Sequence, residues 1–213
     1  LDEPMATASP PQTAISQTAT PAPTATPTVR DAAVPALPNA PGLAPPGLAA
    51  PTPSPAAPAV RVTAIGDSVM LGAAKELQRA LGSLDIDAAV SRSATVAIDI
   101  LRARRDAGEL GAVVVVHIGN NGPFTAGQFE ELMQVLAGVH RVVLVNLKVP
   151  RRWEGPNNAM LATEILRYPN AVLVDWNTAS TERPELFWDD GIHLRPEGAR
   201  AYTALVVAAI QAP

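Results

Sequence analysis

Cysteine is absent from all 213 residues. That removes thiol catalysis, disulfides and thiolate metal sites, and leaves either redox compartment open. No apolar run reaches the roughly eighteen residues of a membrane-spanning helix. The chain opens at Leu1 with no charged-then-apolar leader, so no secretory signal is expected within these residues. Basic charge is not in excess either. From residue 59 onward there are 15 Lys and Arg against 17 Asp and Glu, a near-balance that argues against a nucleic-acid surface. Several common catalytic signatures are missing: no Gly-x-Ser-x-Gly elbow, no phosphate-binding P-loop, no Gly-x-Gly-x-x-Gly fingerprint and no His-Glu-x-x-His.

What is present divides the chain in two. Residues 1–58 carry 15 of the 22 prolines, no aromatic residue and only four charges, Asp2, Glu3, Arg30 and Asp31. A segment of Ala, Thr, Pro and Ser has little bulky apolar surface to set against its ordering entropy, and a disordered tether with polyproline character is expected. Extended, it would reach on the order of 180 Å. A chain that starts at Leu1 with such a tether is expected to be a fragment of a larger precursor. Residues 59–213 are long enough for one well-buried domain.

Within that domain, apolar runs of strand length alternate with helix-spaced patterns. Strands are expected over 60–65, 86–90, 112–118, 142–147 and 171–175. Helices are expected from Ser68 to about Leu81, over 94–105, 126–137 and 157–167, and from Pro196 to about Ile210. The run Val113-Val114-Val115-Val116 is apolar on both alternating sets, as in a central parallel strand covered on both faces. Five strands alternating with helices imply an α/β fold, a three-layer α/β/α sandwich around a parallel sheet, flavodoxin-like in architecture. In such sheets ligands bind beyond the C-terminal strand ends. The loops there hold Ser68, Ser91, Asn121 and Trp153, with Asp190 and His193 near the last helix.

Ser68 stands where the first strand gives way to the first helix, at or next to the N-cap, close to the positive end of the helix dipole. A serine needs a base to become a nucleophile at neutral pH, and the base works best when a third group orients it. Asp190-Gly191-Ile192-His193 supplies both, a carboxylate and an imidazole three positions apart. Asp189 is the rival orienter, disfavoured because an adjacent residue points away. Asn121 follows the central strand among glycines and offers a side-chain amide to a developing oxyanion, together with backbone N–H groups. His117, late in a buried strand, and His140 are read as structural.

Gly66-Asp67-Ser68, Gly119-Asn120-Asn121 and Asp190-Gly191-Ile192-His193-Leu194, in that order after successive strand ends and turns, resemble the motif blocks of the SGNH (GDSL-type) hydrolase superfamily. The resemblance covers residues 59–213. It implies Ser68 as nucleophile, His193 as base, Asp190 as its orienter, and Asn121 with backbone N–H groups as the oxyanion hole. One block departs: the glycine expected after the second strand is replaced by Ser91-Arg92-Ser93, and Ser91 is assigned the backbone donor there, with the N–H of either serine able to serve.

With Gly-Asp-Ser-Val-Met and a Pro-rich tether, the chain is most similar to the extracytoplasmic SGNH domain joined to membrane acyltransferases, as in peptidoglycan O-acetyltransferases. That similarity implies transfer of an acyl group, acetyl above all, to a cell-envelope carbohydrate through an acyl-serine, with esterase activity when water is the acceptor. It also implies an N-terminal membrane partner domain, a place outside the cytoplasmic membrane, and no cofactor or metal. Trp153 and Trp188 are candidate contacts for a sugar ring, and a monomer is expected. The alternatives are a carbohydrate or lipid esterase and a non-catalytic glycan-binding module. The polar loop residues Arg151, Arg152, Asn157 and Asn158 weigh against a lipid cleft.

Overall fold

The apolar runs become five parallel strands. A computed structural model describes residues 60–212, so the tether expected over 1–58 lies outside the described residues. The strands are β1 (Val62–Gly66), β2 (Leu84–Ala88), β3 (Val113–His117), β4 (Arg141–Val145) and β5 (Ala171–Val174). The helices between and after them are α1 (Ser68–Leu81), α2 (Ala94–Asp106), α3 (Ala126–Val135), α4 (Glu154–Glu164), α5 (Trp176–Ser180) and α6 (Pro196–Gln211). The sheet order is β2-β1-β3-β4-β5 with every pair parallel, which is the flavodoxin-like order. β1 and β3 lie side by side at the point where the strand order reverses, and Gly66 pairs with His117 in register. Such a switch point opens a crevice beyond the strand ends.

Alternation along the strands sends side chains to two cores. Val62, Ala64, Val113, Val115, Val143 and Val145 face α1 and α6, where Met70, Leu77, Tyr202 and Val206 are buried. Ile65, Val114, Val116, Val142 and Leu144 face the opposite layer of α2, α3 and α4, with Ile98, Leu101, Phe129, Leu132 and Leu161. All five residues of β3 are buried, which its unbroken valine run requires. Each large apolar side chain so enclosed contributes about 1.5–3 kcal/mol.

Several boundaries differ from the sequence expectation for physical reasons. β2 begins two residues earlier, at Leu84. It is an edge strand, and its alternation is genuine: Asp85 and Asp87 meet Arg104 and Arg92 across one face. Helix α4 starts at Glu154 rather than at residue 157. Pro156 falls in its first turn, where the missing N–H has no intrahelical partner to lose. Helix α2 leaves Val96 exposed and buries Ala94 and Ala97 instead. The five-residue α5 has no periodicity to betray it; Asp175 caps it by accepting from the Thr178 N–H. Among the described residues, no helix is long and apolar enough to cross a membrane.

Candidate active site

β1 stops at Gly66, and the N-cap of α1 is Asp67, whose Oδ1 accepts from the Val69 N–H at 3.1 Å. Ser68 is thus the first helical residue and not the cap. Capping is done by its neighbour, so the Ser68 hydroxyl is not spent on the helix. The hydroxyl lies 3.0 Å from Nε2 of His193.

His193 arrives from the other end of the chain on a short antiparallel return. Phe187 and Leu194 bridge, the Trp188 N–H donates to the His193 carbonyl at 2.8 Å, and the Arg195 N–H donates to that of Leu186 at 2.9 Å. Between them, Asp190 folds the chain back on itself. One carboxylate oxygen accepts from the N–H groups of Ile192 (2.8 Å) and His193 (2.9 Å), and the other lies 2.6 Å from His193 Nδ1. Gly191, with φ of 68°, adopts the left-handed turn that lets one carboxylate do both. Neither a helix nor a loose loop joins the pair; it is an Asx-type turn.

Partial burial opposes charge on Asp190. The hydrogen bonds from the His193 ring and from the two backbone N–H groups, with the attraction of His193, outweigh it and bring the carboxyl down to about 2. Asp189 is turned away and pairs with Arg195 at 3.0 Å. Of the two candidate orienters, the structure brings only Asp190 to the imidazole.

Three turns meet at the rim. After β2, Ser91 takes a left-handed φ of 59°, at the place where a glycine was expected from the family pattern. The Arg92 N–H is occupied by the Ala89 carbonyl at 3.4 Å. The Arg92 side chain is buried and holds the carbonyl and carboxylate of Asp87, both at 2.5 Å, which braces the turn from beneath. After β3, Gly119 has φ of 110°, and the Asn121 amide donates to the Arg92 carbonyl at 3.3 Å, linking this turn to the one before it. An amide nitrogen carries two hydrogens, so Asn121 keeps one for a ligand. A cavity of about 250 Å³ opens beside it, lined by Arg92, Ser93, Gly119, Asn121, Gly122 and Gln128. A second, of about 400 Å³, adjoins Gly191 and includes Lys148, Pro150, Arg183 and Phe187.

The tryptophans fare differently. Trp153 is half-buried and its indole N–H donates to the Asn120 carbonyl at 3.3 Å, so it supports the β3 turn. Trp188 is exposed, with the Arg195 guanidinium 4.9 Å from its ring centre. Two of the polar residues ascribed to the loops are not loop surface at all. Asn157 is buried in α4, accepting from the Phe124 N–H and donating to the carbonyls of Gly119 and Gly122. Asn158 clasps the N–H and carbonyl of Leu147. Both hold loop backbone in place, and loop polarity therefore says less about the cleft than the sequence suggested.

His117 is fully buried, with Nδ1 3.0 Å from the Tyr202 hydroxyl and Nε2 3.2 Å from Asn120 Nδ2, while His140 is exposed. Sequence reasoning passed over Asn120 and Asn157. The Asn120-Asn121 doublet after a buried strand was the available signal for the first, and Asn157 left none. Among the described residues no group of three His, Asp or Glu is placed to hold a metal ion.

No protein-family model matches the chain. It is 39% identical over 157 residues to YrhL of Bacillus subtilis, covering 74% of this chain and 25% of that protein. It is 34% identical over 148 residues to the peptidoglycan O-acetyltransferase OatA of Listeria monocytogenes, covering 70% and 24%. The chain thus spans about a quarter of the length of the curated relatives it matches. Among solved structures, the C-terminal catalytic domain of Streptococcus pneumoniae peptidoglycan O-acetyltransferase A, carrying a methylsulfonyl adduct, superposes with a TM-score of 0.65 at 26% identity. The match covers 72% of this chain and 93% of that domain. A GDSL-like lipase from Bacteroides thetaiotaomicron shares the fold with a TM-score of 0.53 at 20% identity, over 71% and 87% of the two chains. From its motif blocks, its sheet order and these likenesses together, the chain belongs to the SGNH (GDSL-type) hydrolase superfamily.

Proposed function

We propose that this domain transfers an acetyl group to a carbohydrate hydroxyl of the cell envelope, that of peptidoglycan, through an acyl-Ser68 intermediate. The observation that carries the reading is the unbroken series from the Asp190 carboxylate through the His193 ring to the Ser68 hydroxyl, 2.6 and 3.0 Å. Asp190 accepts the Nδ1 hydrogen and leaves Nε2 free to take the serine proton. Ser68 Oγ then attacks the acyl carbonyl of the donor. The tetrahedral oxyanion rests on the Asn121 amide, the Ser68 N–H and the N–H of Ser91.

Collapse breaks the bond to the donor's leaving oxygen, which takes the proton from His193. The acceptor hydroxyl next gives its proton to the same nitrogen and attacks the acetyl carbonyl. The second collapse breaks the bond between Ser68 Oγ and the acetyl carbon, leaves the new ester on the acceptor and returns the proton to Ser68. Water in place of the sugar gives acetate. Trp188, exposed beside His193, is a platform for the acceptor ring.

The relatives' names support acetyl as the group and peptidoglycan as the acceptor. Because the match spans only about a quarter of these relatives' length, we infer that a membrane acyltransferase part precedes this domain and delivers the acetyl group outside the cytoplasmic membrane. The esterase reading shares every one of these residues, and a glycan-binding module without turnover shares none of the chemistry.

The test is a Ser68→Ala variant together with acceptor trials. Wild type should hydrolyse a chromogenic acetyl ester and take label from a serine-directed sulfonyl fluoride, and the variant should do neither, its kcat falling by about 10⁶-fold. With chito-oligosaccharides present, mass spectrometry should find acetylated sugar. Free acetate alone with every acceptor leaves an esterase; full activity in Ser68→Ala removes the mechanism.

A further inference from the structure

Beneath Ser68 lies a chain of buried polar side chains that the acyl-transfer steps do not use. Asp67 and His117 are fully buried, as is Tyr202, and Asn120 is 6% exposed. Asn120 Nδ2 donates to Asp67 Oδ2 at 3.0 Å and stands 3.2 Å from His117 Nε2; His117 Nδ1 stands 3.0 Å from the Tyr202 hydroxyl. The chemistry fixes the direction of the bond to Asp67. A carboxylate accepts only, so the amide must present its nitrogen to Asp67. His117 Nε2 packs against the same amide nitrogen, and the far side of the ring faces the Tyr202 hydroxyl.

The amide's own carbonyl oxygen, Asn120 Oδ1, is buried without a partner. An orphaned buried acceptor is destabilising, and what this side chain gains in return comes from its nitrogen. That nitrogen ties two turns together. Asp67 immediately precedes Ser68, and Asn120 immediately precedes Asn121. The Asn120 backbone is held as well, by the Trp153 indole on its carbonyl. Apart from this side-chain bond, the Asp67 N–H to the His117 carbonyl, 3.2 Å, is the backbone link at the same crossing.

We propose that Asn120 is a positioning residue: it clamps the nucleophile turn to the oxyanion-donor turn and so sets where the Asn121 amide stands relative to Ser68. The Asp67 carboxylate holds the amide nitrogen toward it, and the buried His117 ring, backed by Tyr202, packs against it. The inference rests on the roles given to Ser68 and Asn121 above. A nucleophile and its oxyanion donor on separate strand ends need such a tie, because a displacement of about 1 Å costs on the order of a hundredfold in rate.

The experiment measures kcat, KM, pH profile and thermal melting on a chromogenic acetyl ester for Asn120→Ala, Asp67→Asn and the exchanged pair Asp67→Asn with Asn120→Asp. In Asn120→Ala, kcat should fall by about tenfold to a hundredfold with KM nearly constant. The midpoint of the pH profile should stay in place, since the Asp190–His193 pair is untouched. The exchanged pair restores an amide-to-carboxylate bond in the reverse sense, with His117 Nε2–H able to donate to the new carboxylate. It should recover at least about tenfold of the kcat lost in Asp67→Asn.

A folded Asn120→Ala enzyme with wild-type kcat, while Ser68→Ala is inactive, overturns the clamp alone. An exchanged pair no better than Asp67→Asn overturns it too, and decides the matter if Asn120→Ala fails to fold. Activity surviving in Ser68→Ala instead removes the acyl-serine reading on which the clamp depends.

Discussion

The protein holds two histidines at the same end of its sheet and gives them opposite surroundings. His193 has 46% of its side chain exposed and sits between a carboxylate at 2.6 Å and a hydroxyl at 3.0 Å. His117 is buried completely between a phenol and an amide. Burial pushes the His117 pKa down, even though the charge of Asp67 pulls the other way. A ring that carries a proton during catalysis needs its charged form tolerated, by solvent and by a carboxylate in contact. A ring that fixes geometry needs to stay neutral, which desolvation enforces. The side chain is the same; its surroundings suit the one to carrying a proton and the other to bracing the turns.

The sharpest way to break that contrast is to remove the carboxylate from His193. Asp190→Asn should lower kcat by about 10⁴-fold, because an amide no longer selects the tautomer that leaves Nε2 free to accept. The same variant tests the pH linkage. Since the Asp190 carboxyl is lowered from 3.8 to about 2, its contribution to stability is complete above its ordinary value and is lost as pH falls through about 2. Melting curves should therefore drop less between pH 5 and pH 2 in Asp190→Asn than in wild type.

A smaller loss is expected from Asn121→Ala, about 10²–10³-fold in kcat, read in steady-state hydrolysis of the acetyl ester. The smallest effect concerns His117 and is on stability. With its folded pKa lowered, the unfolded chain takes up a proton below about 6.5 that the folded protein refuses. Stability should fall as pH drops through that range, and His117→Gln should flatten the decline. Equal decline in both proteins would place the acid sensitivity elsewhere.

Much of this was readable from the chain before any coordinates. Continuous apolar runs such as 113–116 announce buried parallel strands, because a strand covered on both faces has no polar side. Ser68, Asp190 and His193 were legible through residue type and place: a hydroxyl at a strand-to-helix junction, a carboxylate and an imidazole one turn apart. β2 was harder, since its edge position makes it alternate through Asp85 and Asp87. Helix α5 was invisible because five residues are too few for a period. Asn157 read as loop polarity, and its three hydrogen bonds to the backbone of residues 119–124 depend on a helix folding over a turn more than thirty positions away.

Local chemistry written into the residue order settled the strands, the caps and the identity of the three groups in series, for these depend on neighbours within a few positions. The fold alone brought the Ser68 hydroxyl to the imidazole and turned Asn120 inward onto Asp67. Both hang on contacts between residues as far apart as 125 positions, Ser68 to His193. Direction and distance across such a gap exist only once the sheet has brought its strand ends to one rim.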